Sequence, residues 1–104
     1  MNTMYEDYAK VYRAFCDEKR LRILELLRSG EKCACKLSED LNINQSSLSY
    51  HMKILLDSGV VEGREDGKWM RYTISQKGRQ YAVDLLLSIT STDAVTEISN
   101  CCDQ

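Results

Sequence analysis

Asn44-Gln45-Ser46-Ser47-Leu48-Ser49-Tyr50-His51-Met52-Lys53-Ile54-Leu55 is the stretch on which the fold turns. Asn44 is a good N-cap, because its short side chain can accept hydrogen bonds from the unpaired amides of a first helical turn. Ile43 and Leu48 occupy the N′ and N4 positions of a hydrophobic staple, which sets the angle at which the chain enters the helix. Leu48, Met52, Leu55 and Leu56 form a buried face and Gly59 ends the helix. Ser46, Ser47, Ser49, Tyr50 and Lys53 are left on the other face.

Just upstream, residues 33–41 read as a shorter helix with Ala34, Leu37 and Leu41 on one side, and Asn42-Ile43-Asn44 as a tight turn. Two short helices joined by such a turn, the second with a polar outer face, are the signature of a helix-turn-helix. Just downstream, residues 60–64 and 68–74 flank a turn containing Asp66-Gly67, a strong hairpin signal. Met70, Tyr72 and Ile74 are expected to face inward, Arg71 and Thr73 outward. A hairpin directly after a helix-turn-helix is a wing.

Further out, Met4, Tyr8, Val11, Tyr12 and Phe15 make one helical stripe. Asp17 caps a second helix through Leu21, Leu24 and Leu27 that stops at Gly30. Tyr81, Ala82, Leu85, Leu86 and Ile89 mark a fifth helix. The expected fold is therefore mainly α with a small β-hairpin, a winged helix-turn-helix. Residues 1–92 form the DNA-binding and dimerisation domain, and residues 93–104 a loosely ordered, acidic, cysteine-containing tail. Met4, Tyr8 and Tyr12 against Leu85, Leu86 and Ile89 suit a two-fold interface, so a homodimer through the first and last helices is expected.

A net charge of −2 does not by itself favour nucleic acid. Its distribution does more: residues 10–36 carry eight Lys/Arg against four Asp/Glu, while residues 93–104 carry three acids and no base. No signal-peptide pattern opens the chain, and its longest apolar cluster, Leu85-Leu86-Leu87, is far short of a membrane span. A cytoplasmic protein without membrane contact is expected.

The start of a recognition helix meets base edges in the major groove. Gln45, Ser46, Ser47 and Ser49 are the expected readers; Gln can pair with adenine, and Ser can donate or accept. Tyr50 either joins them or packs inward. His51 and Lys53 are expected to reach phosphate, and Lys68 and Arg71 to contact DNA from the wing. As a lone histidine, His51 is not read as a metal ligand.

Five cysteines without a secretory signal read as metal ligands or redox thiols rather than as a disulfide scaffold. Cys33, Cys35, Cys101 and Cys102 are the candidate ligands, with Cys16 as a further one that otherwise reads as a small buried residue. On a regular helix, side chains at i and i+2 point about 200° apart. Chelation by Cys33 and Cys35 would then require the start of the third helix to unwind and so tilt the reading head. Lys32 and Lys36 flank the pair and should favour thiolate.

The order of elements over residues 5–90 resembles the ArsR/SmtB family of metal-responsive repressors. The resemblance rests on Asp17-Glu18-Lys19-Arg20-Leu21-Arg22-Ile23-Leu24, on the stretch from Asn44 quoted above, and on Asp57-Ser58-Gly59-Val60-Val61. Glu31-Lys32-Cys33-Ala34-Cys35-Lys36-Leu37 is similar to the cysteine box of the arsenical-resistance branch, which ordinarily carries a third cysteine where this chain has Ser38. The family's zinc and nickel sites on the last helix are not implied, since that helix offers Asp84 and no histidine.

The resemblance implies a dimer that binds an inverted repeat in double-stranded operator DNA. It implies release when As(III) or Sb(III) meets the cysteine thiolates, with no organic cofactor and no enzymatic activity. A thiol redox sensor and a Cd(II) or Pb(II) sensor are the alternatives on the same scaffold. A Cys-x-Cys oxidoreductase lacks both a βαβ context and a histidine near the pair.

Overall fold

Each helix of the computed structural model, which describes residues 3–92, starts at a side chain suited to cap it. Helix α1 spans Met4–Arg13, with a capping box between Thr3 and Glu6. Helix α2 spans Glu18–Leu27, and the Asp17 carboxylate accepts from the amides of Lys19 and Arg20 at 2.7 and 3.3 Å. Helix α3 spans Ala34–Leu41 and helix α4 Gln45–Ser58, where Asn44 accepts from the Ser47 amide at 2.8 Å. Between them, Asn42 takes a left-handed conformation (φ 55°), which asparagine tolerates better than most residues. The Ser38 hydroxyl braces the turn by donating to the Ile43 carbonyl at 2.7 Å. Helix α5 spans Gln76–Ile89 and is capped by Ser75.

Strand β1 is Lys32–Cys33, β2 is Val61–Asp66 and β3 is Trp69–Ile74. They form one antiparallel sheet in the order β1-β3-β2. Asp66 pairs with Trp69, so the hairpin turn is Gly67-Lys68, with Gly67 at φ 66°. It lies one residue beyond the Asp66-Gly67 pair that signals it.

β1 is the main departure from expectation. Cys33 is not the first residue of a helix but the extended N-cap of α3 (φ −81°, ψ 157°), paired across the sheet with Arg71. Arg71, which pairs with Cys33 of β1, and Thr73 are half-buried. Tyr72 is buried and Met70 and Ile74 are half-buried, as the alternation predicts.

The core lies between α2, α3, α4 and the base of the hairpin. Ile23, Leu37, Leu48, Met52, Leu55 and Val61 are its fully buried side chains. Burial of each such side chain stabilises the fold by about 1.5–3 kcal/mol. Helix α5 joins through main chain: the Ser75 amide donates to the Val60 carbonyl at 2.8 Å, and Gly78 lies directly on Gly59 and Val60. Leu86, Leu87 and Ile89 on α5 and Met4, Tyr5 and Phe15 around α1 stay exposed. No helix among the described residues is long and apolar enough to cross a membrane. Cys101, Cys102 and the acidic tail lie outside the described residues.

Candidate functional site

The outer face of α4 presents Gln45, Ser46, Ser49, Tyr50 and Lys53 to solvent, with Ser47 half-buried in the first turn. Tyr50 is 61% exposed, so of its two readings the outward one holds. Lys53 is exposed and loosely paired with Asp57 at 3.4 Å. At the wing, Lys68 is exposed at the turn, its ammonium 5.7 Å from the centre of the Trp69 ring. Arg71 is bound to the Asp66 carboxylate at 2.6 Å. The helix start and the wing tip thus offer the polar and cationic groups that meet bases and phosphates in a winged helix.

His51 does not belong to that surface. It is 6% exposed, and its Nδ1 lies 3.0 Å from a guanidinium nitrogen of Arg20, itself 5% exposed. Arginine can only donate, so Nδ1 accepts and the ring is neutral with its proton on Nε2. The rest of the Arg20 guanidinium donates to the Arg13 carbonyl at 3.1 and 2.9 Å. One side chain on α2 therefore ties the end of α1 to the recognition helix. The spacing contained the signal: His51 stands three residues after Leu48 and four before Leu55, on the apolar face. Arg20 likewise shares a face with Ile23 and Leu27.

Burial holds the His51 pKa below the ordinary histidine value of 6.5; Asp17, 4.0 Å away, pulls it up, while Arg20 and Lys19 push it down. A histidine whose folded pKa is depressed takes up its proton more readily in the unfolded chain. Its contribution is full above pH 6.5 and is lost as pH falls through the folded value. Urea unfolding at pH 7.5 and pH 5 is expected to show a larger loss in the wild type than in His51→Gln, which cannot titrate.

Cys33 and Cys35 come together without any unwinding, because Cys33 already stands outside the helix. The Lys36 amide donates to the Cys33 sulfur at 3.4 Å. The neighbouring Cys35 thiol first, then this bond and the nearby Arg71 charge, hold the Cys33 thiol below its ordinary pKa. The same interaction between the two thiols raises that of Cys35, so Cys33 is the readier of the two to lose its proton. Arg71 adds its charge from across the sheet to that of Lys36, which acts on Cys33 although it is paired with Asp40 at 3.2 Å; Lys32 donates to Ser29 at 2.9 Å.

Two soft sulfurs side by side fit a thiophilic ion. Ser38 cannot supply a third donor, since its hydroxyl is committed to the Ile43 carbonyl. Cys16 is exposed at the α1–α2 junction, not buried. Among the described residues, no group of three or more His, Cys, Asp or Glu side chains could hold a metal ion.

Sequence reasoning also missed Arg64, which grips Glu31 through two bonds of 2.8 Å. The two residues are far apart in the chain and meet only through the sheet. Register places Cys33, Arg71 and Arg64 in one row across β1, β3 and β2, so the thiol pair stands at the end of a row of wing arginines.

Residues 17–63 match the family described as "Bacterial regulatory protein, arsR family". The chain is 39% identical over 71 residues to the arsenical resistance operon repressor of Bacillus subtilis (strain 168), covering 67% of this chain and 68% of that protein. It is 35% identical over 89 residues to the arsenical resistance operon repressor of Staphylococcus xylosus, covering 86% of each. Among solved structures, the homodimeric winged helix-turn-helix DNA-binding domain of a possible ArsR-family regulator from Mycobacterium bovis superposes with a TM-score of 0.68. That likeness has 24% identity and covers 84% of this chain and 82% of the other. Fold and kinship are those of DNA-binding transcription regulators, and the chain belongs to the ArsR family as a winged-helix transcriptional repressor.

Proposed function

We propose that this chain is a metalloid-responsive repressor that binds an inverted repeat in operator DNA as a homodimer and leaves it when As(III) or Sb(III) binds Cys33 and Cys35. The observation that carries this reading is the cysteine pair at the start of α3, with Cys33 in register with Arg71 of the wing and accepting from the Lys36 amide. Kinship supports it, since the relatives from B. subtilis and S. xylosus are named as arsenical resistance operon repressors.

Gln45, Ser46, Ser47, Ser49 and Tyr50 read base edges, and Lys53, Lys68 and Arg71 take phosphates; His51 is a brace behind the helix. The dimer forms through α1 and α5, whose exposed apolar side chains border a cleft of about 960 Å³ lined by Tyr12, Phe15, Leu21, Leu24, Val83 and Leu86. The homodimeric M. bovis domain supports that assembly.

Ligation draws both sulfurs onto one centre. Cys33 then gives up its bond to the Lys36 amide, and the charge facing Arg71 changes. Two routes lead outward from this point. One runs along the sheet to the wing, and the other through α3 and its Ser38–Ile43 brace to the recognition helix. The third sulfur that arsenite prefers comes from outside the pair, with Cys101, Cys102 and Cys16 as the candidates. The four thiolates that Cd(II) or Pb(II) would want are not assembled among the described residues.

Operator release followed by fluorescence anisotropy tests the proposal. Cys33→Ser and Cys35→Ser are expected to bind operator like the wild type in the absence of inducer. The arsenite concentration for half-release should rise by about 100-fold, the upper range of ordinary allosteric coupling. Unchanged release in both variants would place the sensor elsewhere.

A further inference from the structure

Resting on that reading, we infer that Glu31 and Arg64 are the positioning pair that makes the wing follow the cysteine site. Of the two routes outward from Cys33, this assigns the coupling to the sheet. Arg64 on β2 reaches past β3 to hold both carboxylate oxygens of Glu31, each at 2.8 Å. Glu31 stands two residues before Cys33. Neither residue belongs to the proposed ligand set or to the proposed base readers.

The segment that carries the cysteines is otherwise lightly tied to the hairpin. β1 has two register positions, Lys32 with Tyr72 and Cys33 with Arg71. Facing residues in an antiparallel ladder alternate between bonded and non-bonded pairs, so a two-residue strand holds on by one bonded pair. Behind it lies Gly30 at φ 129°, with open space where a side chain would begin. Glycine there leaves a joint at which the segment can turn. Without a further tie, a shift of Cys33 would be absorbed at that joint.

The fork supplies what the ladder lacks. β1 and β2 lie on either side of β3, roughly 10 Å apart at two strand spacings. A bidentate arginine–carboxylate pair fixes orientation as well as distance. It clamps the β1 segment to the far strand of the wing, so β1, β3 and β2 move as one body when Cys33 moves. Lys68, at the end of the same hairpin, is carried with them, and the wing's hold on phosphate changes. The side chains of Arg64 and Glu31 are 59% and 31% exposed. Such exposed pairs add little stability. Removal of the pair is therefore expected to show in coupling and not in melting.

The test uses the full chain with Glu31→Gln, with Arg64→Gln and with both changes together. Coupling is the ratio of operator dissociation constants with and without saturating arsenite, read by anisotropy. Each single variant is expected to lower that ratio about tenfold, within the range for residues that link two sites without contacting either ligand. Any affinity gained when Arg64 is freed from its carboxylate applies in both states and cancels in the ratio. The double variant should fall no further than either single one, since the same bonds are lost whichever partner goes. Melting temperatures should stay close to wild type in all three.

A second arm needs no DNA. Trp69, the only tryptophan of the chain, stands at the end of the hairpin and is 42% exposed. Arsenite should shift its emission in the wild type. The shift should shrink in the variants while intact mass spectrometry shows the same arsenic adduct on each. A full coupling ratio in either single variant, additive losses in the double one, or a silent Trp69 on a wild type that carries the adduct overturns the inference. A wild type whose Trp69 responds but which never leaves its operator contradicts the repressor mechanism and not the clamp. Absence of the adduct from the wild type would overturn the cysteine sensor, and the clamp with it.

Discussion

Gly78→Ala is expected to destabilise the domain by about 2–3 kcal/mol, the range for overpacking a tight contact. Intrinsic helix propensity points the other way: alanine inside α5 would gain about 1 kcal/mol over glycine. The contact decides the sign. A Cβ at position 78 would overlap the carbonyl group of Gly59 and lie 3.1 Å from the Val60 Cα, all of it main chain that cannot rotate aside. The first turn of α5 would have to lift from the end of α4, straining the Ser75–Val60 bond. Thermal unfolding followed by circular dichroism checks this; a raised melting temperature would refute the contact. Because α5 carries the proposed dimer face, the variant should also dissociate at higher protein concentration than the wild type, as sedimentation can read.

Arg20→Met is expected to cost about 3 kcal/mol, since it removes three bonds from a charged donor, one of them to buried His51, while keeping the side chain's stem. At about 4–8 °C per kcal/mol for a domain of this size, the melting temperature should fall by about 10–20 °C. The guanidinium serves two elements together, the Arg13 carbonyl at the end of α1 and His51 on the recognition helix. Removing it leaves buried His51 without its donor, while the Arg13 carbonyl keeps only the Cys16 amide. A second change, His51→Leu, removes that stranded acceptor, so the double variant should recover about 1 kcal/mol relative to Arg20→Met alone. Additive losses in that cycle would show that the two side chains do not depend on each other.

The recognition helix and the wing were legible because their signals are local. Asn44 lies three residues from the amide it caps, and Asp66-Gly67 announces its own turn. β1 was not legible. Two residues cannot display a period of two, and their partners Tyr72 and Arg71 stand far along the chain. That omission placed Cys33 inside a helix and created a demand for unwinding that the fold does not make. His51 was misjudged because polarity was weighed above position, and Arg20 was not singled out, although both fall on apolar faces by spacing. Helix α5 starts at Gln76, well before Tyr81, because its first turns are held by the Ser75 cap and by main-chain contact rather than by an apolar stripe. The cysteine pair was found from its sequence alone, but the charge that Arg71 adds from across the sheet to that of Lys36 was not.

The ion pairs on the proposed DNA-facing side bear on how the protein would meet a polyanion. Lys53 is held by Asp57 and Arg71 by Asp66, while Lys68 rests over Trp69. A phosphate that claims Lys53 or Arg71 must displace a carboxylate. That carboxylate then gathers the small cations that the phosphate sheds, so fewer ions pass into bulk solution than the number of contacts suggests. For a chain of net charge −2, the proposed contacts would rest affinity for DNA on hydrogen bonds at the base edges more than on the entropy of freed counterions.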